Sequence, residues 1–345
     1  MKTLALLLGA ACFAAAASGP VYAQAPIVLK LHHQLGPKSP AQARMLEPWA
    51  KKVEALAKGK VKIVMYPSMS LGGAPTQVYR QIRDGVTDIG WTPNGYTPGI
   101  FPRSEVFELP FVQVNDPAAA SRAIYDMFDK HLKQEYKGVH VLFMHMHAGH
   151  AIQMVDTPVH MPSDLKGKKI RTPSRTGAWI IEALGASPVS MPVPDLPQAF
   201  SKRVIDGALI PWEIVVPFKL QTFARVQVEG PNKTRFGSII FQVSMNQAKW
   251  DSLPKDVQKA FNDASGPDWW QEAGAIWAGS DEIGLKLIKA NKNNYIVLND
   301  TQTAAFRTAL EPVAQRWVKE VSSKGINGKA LLEEARATVQ KYSKK

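Results

Sequence analysis

The sequence holds one cysteine in 345 residues, Cys12, and that residue lies inside an apolar leader. Removing the leader leaves no disulfide, no thiolate nucleophile and no cysteine-ligated metal. A chain without cross-links depends on a core large enough to hold it together. Long apolar runs are also missing after residue 23, where none approaches the ~20 residues of a membrane span, so the mature chain is expected to be soluble. The motifs of common chemistries are absent too. There is no Gly-x-Ser-x-Gly elbow, no His-Glu-x-x-His and no Gly-x-Gly-x-x-Gly after a strand, and Leu71-Gly72-Gly73 lacks the Lys-Ser/Thr of a phosphate cradle. Acidic residues are scarce, 29 against 42 Lys and Arg, for a net charge of +13. The excess is scattered and has no stacked-aromatic or finger pattern beside it. It argues for steering small anions rather than for binding nucleic acid.

What is present begins with the leader. Lys2 is its only charge, Leu4 to Ala17 is apolar, and Val21-Tyr22-Ala23 has the small residues of a cleavage site. Residues 1–23 read as a secretory signal peptide. The run is short for a membrane anchor, and Gly9-Ala10-Ala11 is a poor lipobox ahead of Cys12. From a Gram-negative source the compartment would be the periplasm. The remaining ~320 residues suggest two domains at roughly 150 residues each.

The first part of the mature chain alternates strands with helices. Ile27 to His32 and Val61 to Tyr66 read as strands, with a helix from Ala41 to Ala57 between them. A helix from Thr76 to Asp84 and a strand from Thr87 to Trp91 follow. This order marks a parallel sheet with crossover helices. Loops after such strands share one sheet edge, which makes His33, Gln34, Trp91, Asn94 and Tyr96 candidates to line a site. Farther on, Phe236 to Ser244 reads as a strand and Pro254 to Asn291 as helix broken at Gly266-Pro267.

One stretch stands out: Lys166-Gly167-Lys168-Lys169-Ile170-Arg171-Thr172-Pro173-Ser174. A turn glycine leads into a strand, an arginine stands near its end, and a proline stops it. That places one guanidinium at the C-terminal lip of a sheet, where its planar fork would match a carboxylate at two points.

Several runs carry a family resemblance. They are Gly85-Val86-Thr87-Asp88-Ile89-Gly90, Tyr96, Phe101-Pro102, Glu108-Leu109-Pro110-Phe111 and Asp164 through Arg171. Leu184 through Val189, Val204 through Ala208, then Trp250, Leu253-Pro254 and Val257-Gln258 continue in order. Together they resemble the solute-binding proteins of TRAP transporters along nearly the whole mature chain. The resemblance implies an α/β, two-domain clamshell like other periplasmic binding proteins. Each domain would be a mixed, mostly parallel sheet flanked by helices, with a long helix spanning both. It implies domains of residues 24–148 plus 236–277 and 149–235 plus 278–345. It further implies a monomeric receptor, not an enzyme, that needs no cofactor or metal. Such a receptor closes over an organic acid, with Arg171 on the carboxylate, and delivers it to a small and a large membrane subunit.

Departures from the family pattern bear on the ligand. Ala151 stands where the sialic-acid-binding branch has a second arginine. Ile210, then Pro211-Trp212-Glu213, stands where an asparagine is frequent. Both favour an apolar or aromatic monocarboxylate, with Trp212, Trp91 and Phe236 as candidate flanking rings and His150 at the cleft. A C4-dicarboxylate or keto acid is the alternative, with Lys38, Arg175, Arg203 or Arg235 as the second cation. A periplasmic hydrolase or an ABC-type binding protein are the other classes. His145, His147 and His150 lack a suitably spaced carboxylate or cysteine and read as packing or hydrogen-bonding groups. Trp269, Trp270 and Trp277 read as packing on one helical face.

Overall fold

A computed structural model of the chain describes residues 25–343; the expected signal peptide and Cys12 lie outside the described residues. Among the described residues eleven strands form two sheets. In the first, β1 (Ile27–His32), β2 (Val61–Tyr66), β3 (Ile89–Pro93), β4 (Val139–Met146) and β10 (Ile240–Asn246) take the order β2-β1-β3-β10-β4. The second contains β5 (Ala151–Met154), β6 (Lys169–Thr172), β7 (Ser187–Ser190), β8 (Gly207–Ile210), β9 (Val226–Glu229) and β11 (Asn294–Val297). Its order is β11-β9-β5-β8-β6-β7. Each sheet has one antiparallel member, β10 in the first and β5 in the second. Those two strands follow the passages of the chain from one lobe to the other, so entering the new sheet reverses the direction.

The passages hold each other. The His150 amide donates to the Gly237 carbonyl at 2.7 Å, and the Phe236 amide donates back to the His150 carbonyl at 2.9 Å. The strand expected from Phe236 therefore starts four residues later, at Ile240. The backbone of 236–238 bonds to the other passage and to Glu108 instead of to a ladder.

The helix Pro267–Ala290 packs on the helix Pro117–Met127 and on β4 in the first lobe, and on the Trp212–Ile214 turn in the second. Glycines set these approaches. A Cβ on Gly274 would fall on the Pro117 carbonyl, and one on Gly284 on the Trp212 carbonyl. Gly266-Pro267 ends the preceding helix at Ala264 and starts this one, as a proline at the first helical position does.

Candidate ligand-binding site

Strands β6, β7 and β8 run parallel, so their C-terminal ends share one edge of the second sheet. The ends of β1 and β3 share an edge of the first. Between the two edges lies a cavity with about 410 Å³ of empty space, counting the part open to solvent. Gln34, Trp91 and Tyr96 reach it from the first lobe, and Arg171, Val193 and Ile210 from the second. His147, His150 and Ile239 line it from the two passages.

Arg171 is 2% exposed. Gly167, in the left-handed region at φ 73°, turns the chain into β6. Lys169 is exposed at the start of the strand, and Arg171, two residues on and on the same face, is buried in register with Ala208 and Val189. Its Nε donates to the Met191 carbonyl at 2.9 Å. That contact orients the fork and leaves the two terminal nitrogens unused by Met191, and Arg171 lines the cavity. The Tyr96 hydroxyl lies against the guanidinium and accepts from the Val193 amide at 2.8 Å, so its own proton remains free to donate.

Among the described residues only two Lys or Arg side chains are buried, Arg171 and Arg235. Arg235 meets Glu229 and Asp281, each at 2.8 Å. Arg171 has no carboxylate within ion-pair distance among the described residues. Burial lowers its pKa and nearby Tyr96 opposes this, yet a guanidinium stays protonated. A buried charge without a counter-ion is costly, and a ligand carboxylate is the group that would compensate it.

The other titratable groups of the cavity are held neutral. Burial, then the charge of Arg171, takes His150 down to about 3. Burial, then His150, takes His147 well below its usual value. The Gly149 amide donates to His147 Nδ1 at 2.8 Å, which leaves the ring proton on Nε2, a buried atom without a partner among the described residues. Glu213 is raised well above the usual carboxylate range by burial, then by the charge of Asp281. The cavity therefore carries one net positive charge.

The walls are aromatic. Phe241, Trp91 and Trp277 are in mutual contact, with ring centroids 5.1 Å (Phe241–Trp91), 5.5 Å (Phe241–Trp277) and 5.8 Å (Trp91–Trp277) apart and planes within 17° of parallel. Trp91 is locked in place by donating to His145 Nε2 at 2.9 Å. Trp277, expected only to pack, lines the cavity, whereas Trp269 and Trp270 are buried in the first lobe against β4 and its helices.

Five expected residues meet here: Arg171, Gln34, Trp91, Tyr96 and His150. Four do not line the cavity. The Trp212 indole turns away, donating to Glu229 at 3.1 Å under the Arg235 guanidinium. Phe236 packs on Phe306. Asn94 is used up between Tyr136 and Gln242, both at 2.7 Å. His33 donates to Gln42 at 3.0 Å and stands edge-on behind Trp91. Glu213, Ile214, Phe241, Val193 and His147 were not anticipated; the strand-end rule, applied to β7 and β8 as it was to β1 and β3, points to Val193, Glu213 and Ile214.

Among the described residues no second cation lines the cavity. Arg175 is tied to Glu105 and Glu320, Arg203 to Asp156, and Lys38 lines only the outer cleft.

The sequence model of bacterial extracellular solute-binding protein, family 7, matches residues 31–320. The chain belongs to this family. This family-7 binding protein is similar to a solved TRAP solute-binding protein from a marine metagenome, specific for aromatic acid ligands and in complex with metahydroxyphenylacetate. The identity is 35%, the coverage 92% of this chain and 100% of that one, and the TM-score 0.89. A TRAP solute-binding protein of Rhodoferax ferrireducens, holding copurified benzoate, is 35% identical over 92% and 98% of the two chains, with a TM-score of 0.89. One from Bordetella bronchiseptica with bound (R)- and (S)-mandelate is 28% identical over 92% and 100%, with a TM-score of 0.85.

Proposed function

We propose that this family-7 binding protein is the periplasmic receptor of a TRAP transporter and that its ligand is an aromatic monocarboxylate. The observation that carries the reading is Arg171, a buried guanidinium with no carboxylate partner among the described residues, in a cavity with a stacked aromatic wall. The ligand carboxylate pairs with the Arg171 fork and accepts from the Tyr96 hydroxyl, while the ring packs on Phe241 and Trp277. Contacts come from both lobes, so ligand shifts the population toward the closed form. Burial strengthens the ion pair by lowering the effective dielectric. A dicarboxylate would bury a second negative charge without a cation to meet it.

The same reading makes residues 24–148 plus 236–277 one lobe and residues 149–235 plus 278–345 the other. It has the leader cleaved after Ala23, and a monomer that releases its acid unchanged to a small and a large membrane subunit. The similar structures with benzoate and metahydroxyphenylacetate support it. Calorimetric titration with benzoate, succinate and glucuronate tests it. Benzoate is expected to bind, and to be recovered unaltered by mass spectrometry. Binding of succinate or glucuronate alone would refute the aromatic preference.

A further inference from the structure

Two polar side chains of the cavity take no part in the pairing of Arg171 with the carboxylate. Gln34 and Glu213 line both this cavity and the wider cleft beside it, so the two stand where they meet. Gln34 comes from the loop after β1 in the first lobe and Glu213 from the turn after β8 in the second. Gln34 is 5% exposed and Glu213 1%. Gln34 Oε1 and Glu213 Oε2 are both buried and neither has a hydrogen-bond partner among the described residues.

We propose that Gln34 and Glu213 form a second recognition point, which accepts a hydrogen bond from a hydroxyl on the ligand's ring. The ligand class is then a hydroxyaryl carboxylate. This rests on the reading of Arg171 as the carboxylate site.

Chemistry separates the two sets of polar groups. Arg171, the Tyr96 hydroxyl and His147 Nε2 are donors, suited to a carboxylate. Glu213 is an acceptor because of its neighbour. It hydrogen-bonds Asp281, and a bond between two carboxyl groups needs one proton. Asp281 already accepts from the Trp212 amide at 2.6 Å and from Arg235 at 2.8 Å, so it is the ionised member. The proton belongs to Glu213 on the side facing Asp281. The carboxyl oxygen away from Asp281 is left as a carbonyl-type acceptor, and the neutral group does not repel the ligand's charge.

A buried acceptor left unpaired is costly, and a hydroxyl relieves that cost where a methyl group of similar size does not. Because the two acceptors belong to different lobes, the hydroxyl contact would also reward closure.

The test is calorimetric titration of the full mature chain with benzoate and with matched pairs: 3- and 4-hydroxybenzoate against 3- and 4-methylbenzoate, and 3-hydroxyphenylacetate against 3-methylphenylacetate. At least one hydroxy acid is expected to bind roughly tenfold or more tightly than its methyl partner. Glu213→Leu should bring that ratio near one, and Gln34→Leu should lower it in part. If benzoate binds but every pair agrees within about twofold, or the ratio survives both substitutions, the hydroxyl site is refuted while the carboxylate site stands. If no arylcarboxylate binds, both readings fall. Should Glu213→Leu not fold, the wild-type pairs and Gln34→Leu still decide the outcome.

Discussion

Arg171 and Tyr96 meet across the gap between the lobes. The guanidinium rises from β6 of the second sheet and the hydroxyl from the turn after β3 of the first; the same hydroxyl accepts from the Val193 amide of the second lobe. One phenol thus serves both closure and the acid site. Arg171→Ala should weaken arylcarboxylate binding by about 2–5 kcal/mol, the range for losing one partner of a buried charge pair. Arg171→Lys should lose much of it too, since an ammonium lacks the fork. Tyr96→Phe should cost about 1 kcal/mol and leave the lobes more open. Calorimetry and small-angle scattering measure the two effects. Wild-type affinity in Arg171→Ala would end its assigned role.

Phe241 packs against two indoles that also touch each other, so its contribution to binding can be separated from its packing. Phe241→Leu keeps the volume roughly and should cost under ~1.5 kcal/mol of stability. It should also weaken aromatic acids by about 0.5–1.5 kcal/mol through lost ring stacking. Titrations with benzoate and with cyclohexanecarboxylate compare the two. The loss should fall on the aromatic acid; an equal loss for both would count against stacking.

Trp212 supports the site without touching the cavity. Trp212→Phe removes the hydrogen bond to Glu229, worth about 1.5–3 kcal/mol when the acceptor is charged. The melting temperature should fall while the dissociation constant for benzoate changes little. A large rise in that constant at an unchanged melting temperature would return Trp212 to the ligand's side.

Gly274 and Gly284 reverse a general rule. In an exposed helix, glycine to alanine adds about 1 kcal/mol of stability. Here each Cβ would collide with a carbonyl of the packed neighbour, Pro117 in one lobe and Trp212 in the other. Gly274→Ala and Gly284→Ala should each destabilise by about 1–3 kcal/mol, as overpacking does. Thermal melts that rise instead would show that the helix is free to shift.

Stability should peak near neutral pH, with two opposing causes. Burial lowers His33 and His140 to about 4, and His145 and His150 to about 3, from 6.5. Below pH 6.5 the unfolded chain therefore takes up protons that the folded chain refuses, and stability falls as the pH drops toward 3–4. Glu108 behaves oppositely. Burial raises it from 4.5 to about 8, so its contribution is complete below 4.5 and is lost as the pH rises through 8. It sits at the passage between lobes, accepting from Thr176 at 2.7 Å and from the Ile240 amide at 3.3 Å. Melts across this range should show both slopes, and Glu108→Gln should flatten the alkaline one. An unchanged alkaline slope in that variant would remove Glu108 as its source.

Much of this was legible along the chain, because it depends on neighbours close in sequence. Period-two alternation in Ile27–His32 and Val61–Tyr66, and the Gly167 turn before Ile170-Arg171, specify strands locally. With parallel strands, chain direction alone brings Gln34, Tyr96 and Arg171 to facing edges. Which way a side chain turns at such an edge is another matter. Trp212 and Glu213 are adjacent, yet the indole goes to Glu229 and the carboxyl to the cavity, because Asp281 takes the Trp212 amide from a helix about 70 residues away. Arg171 and Arg235 look alike as residues; only the folded chain supplies one with two carboxylates and leaves the other with none. Backbone form follows from local sterics and patterning, whereas the partner of a buried polar group is decided by whatever distant segment packs against it.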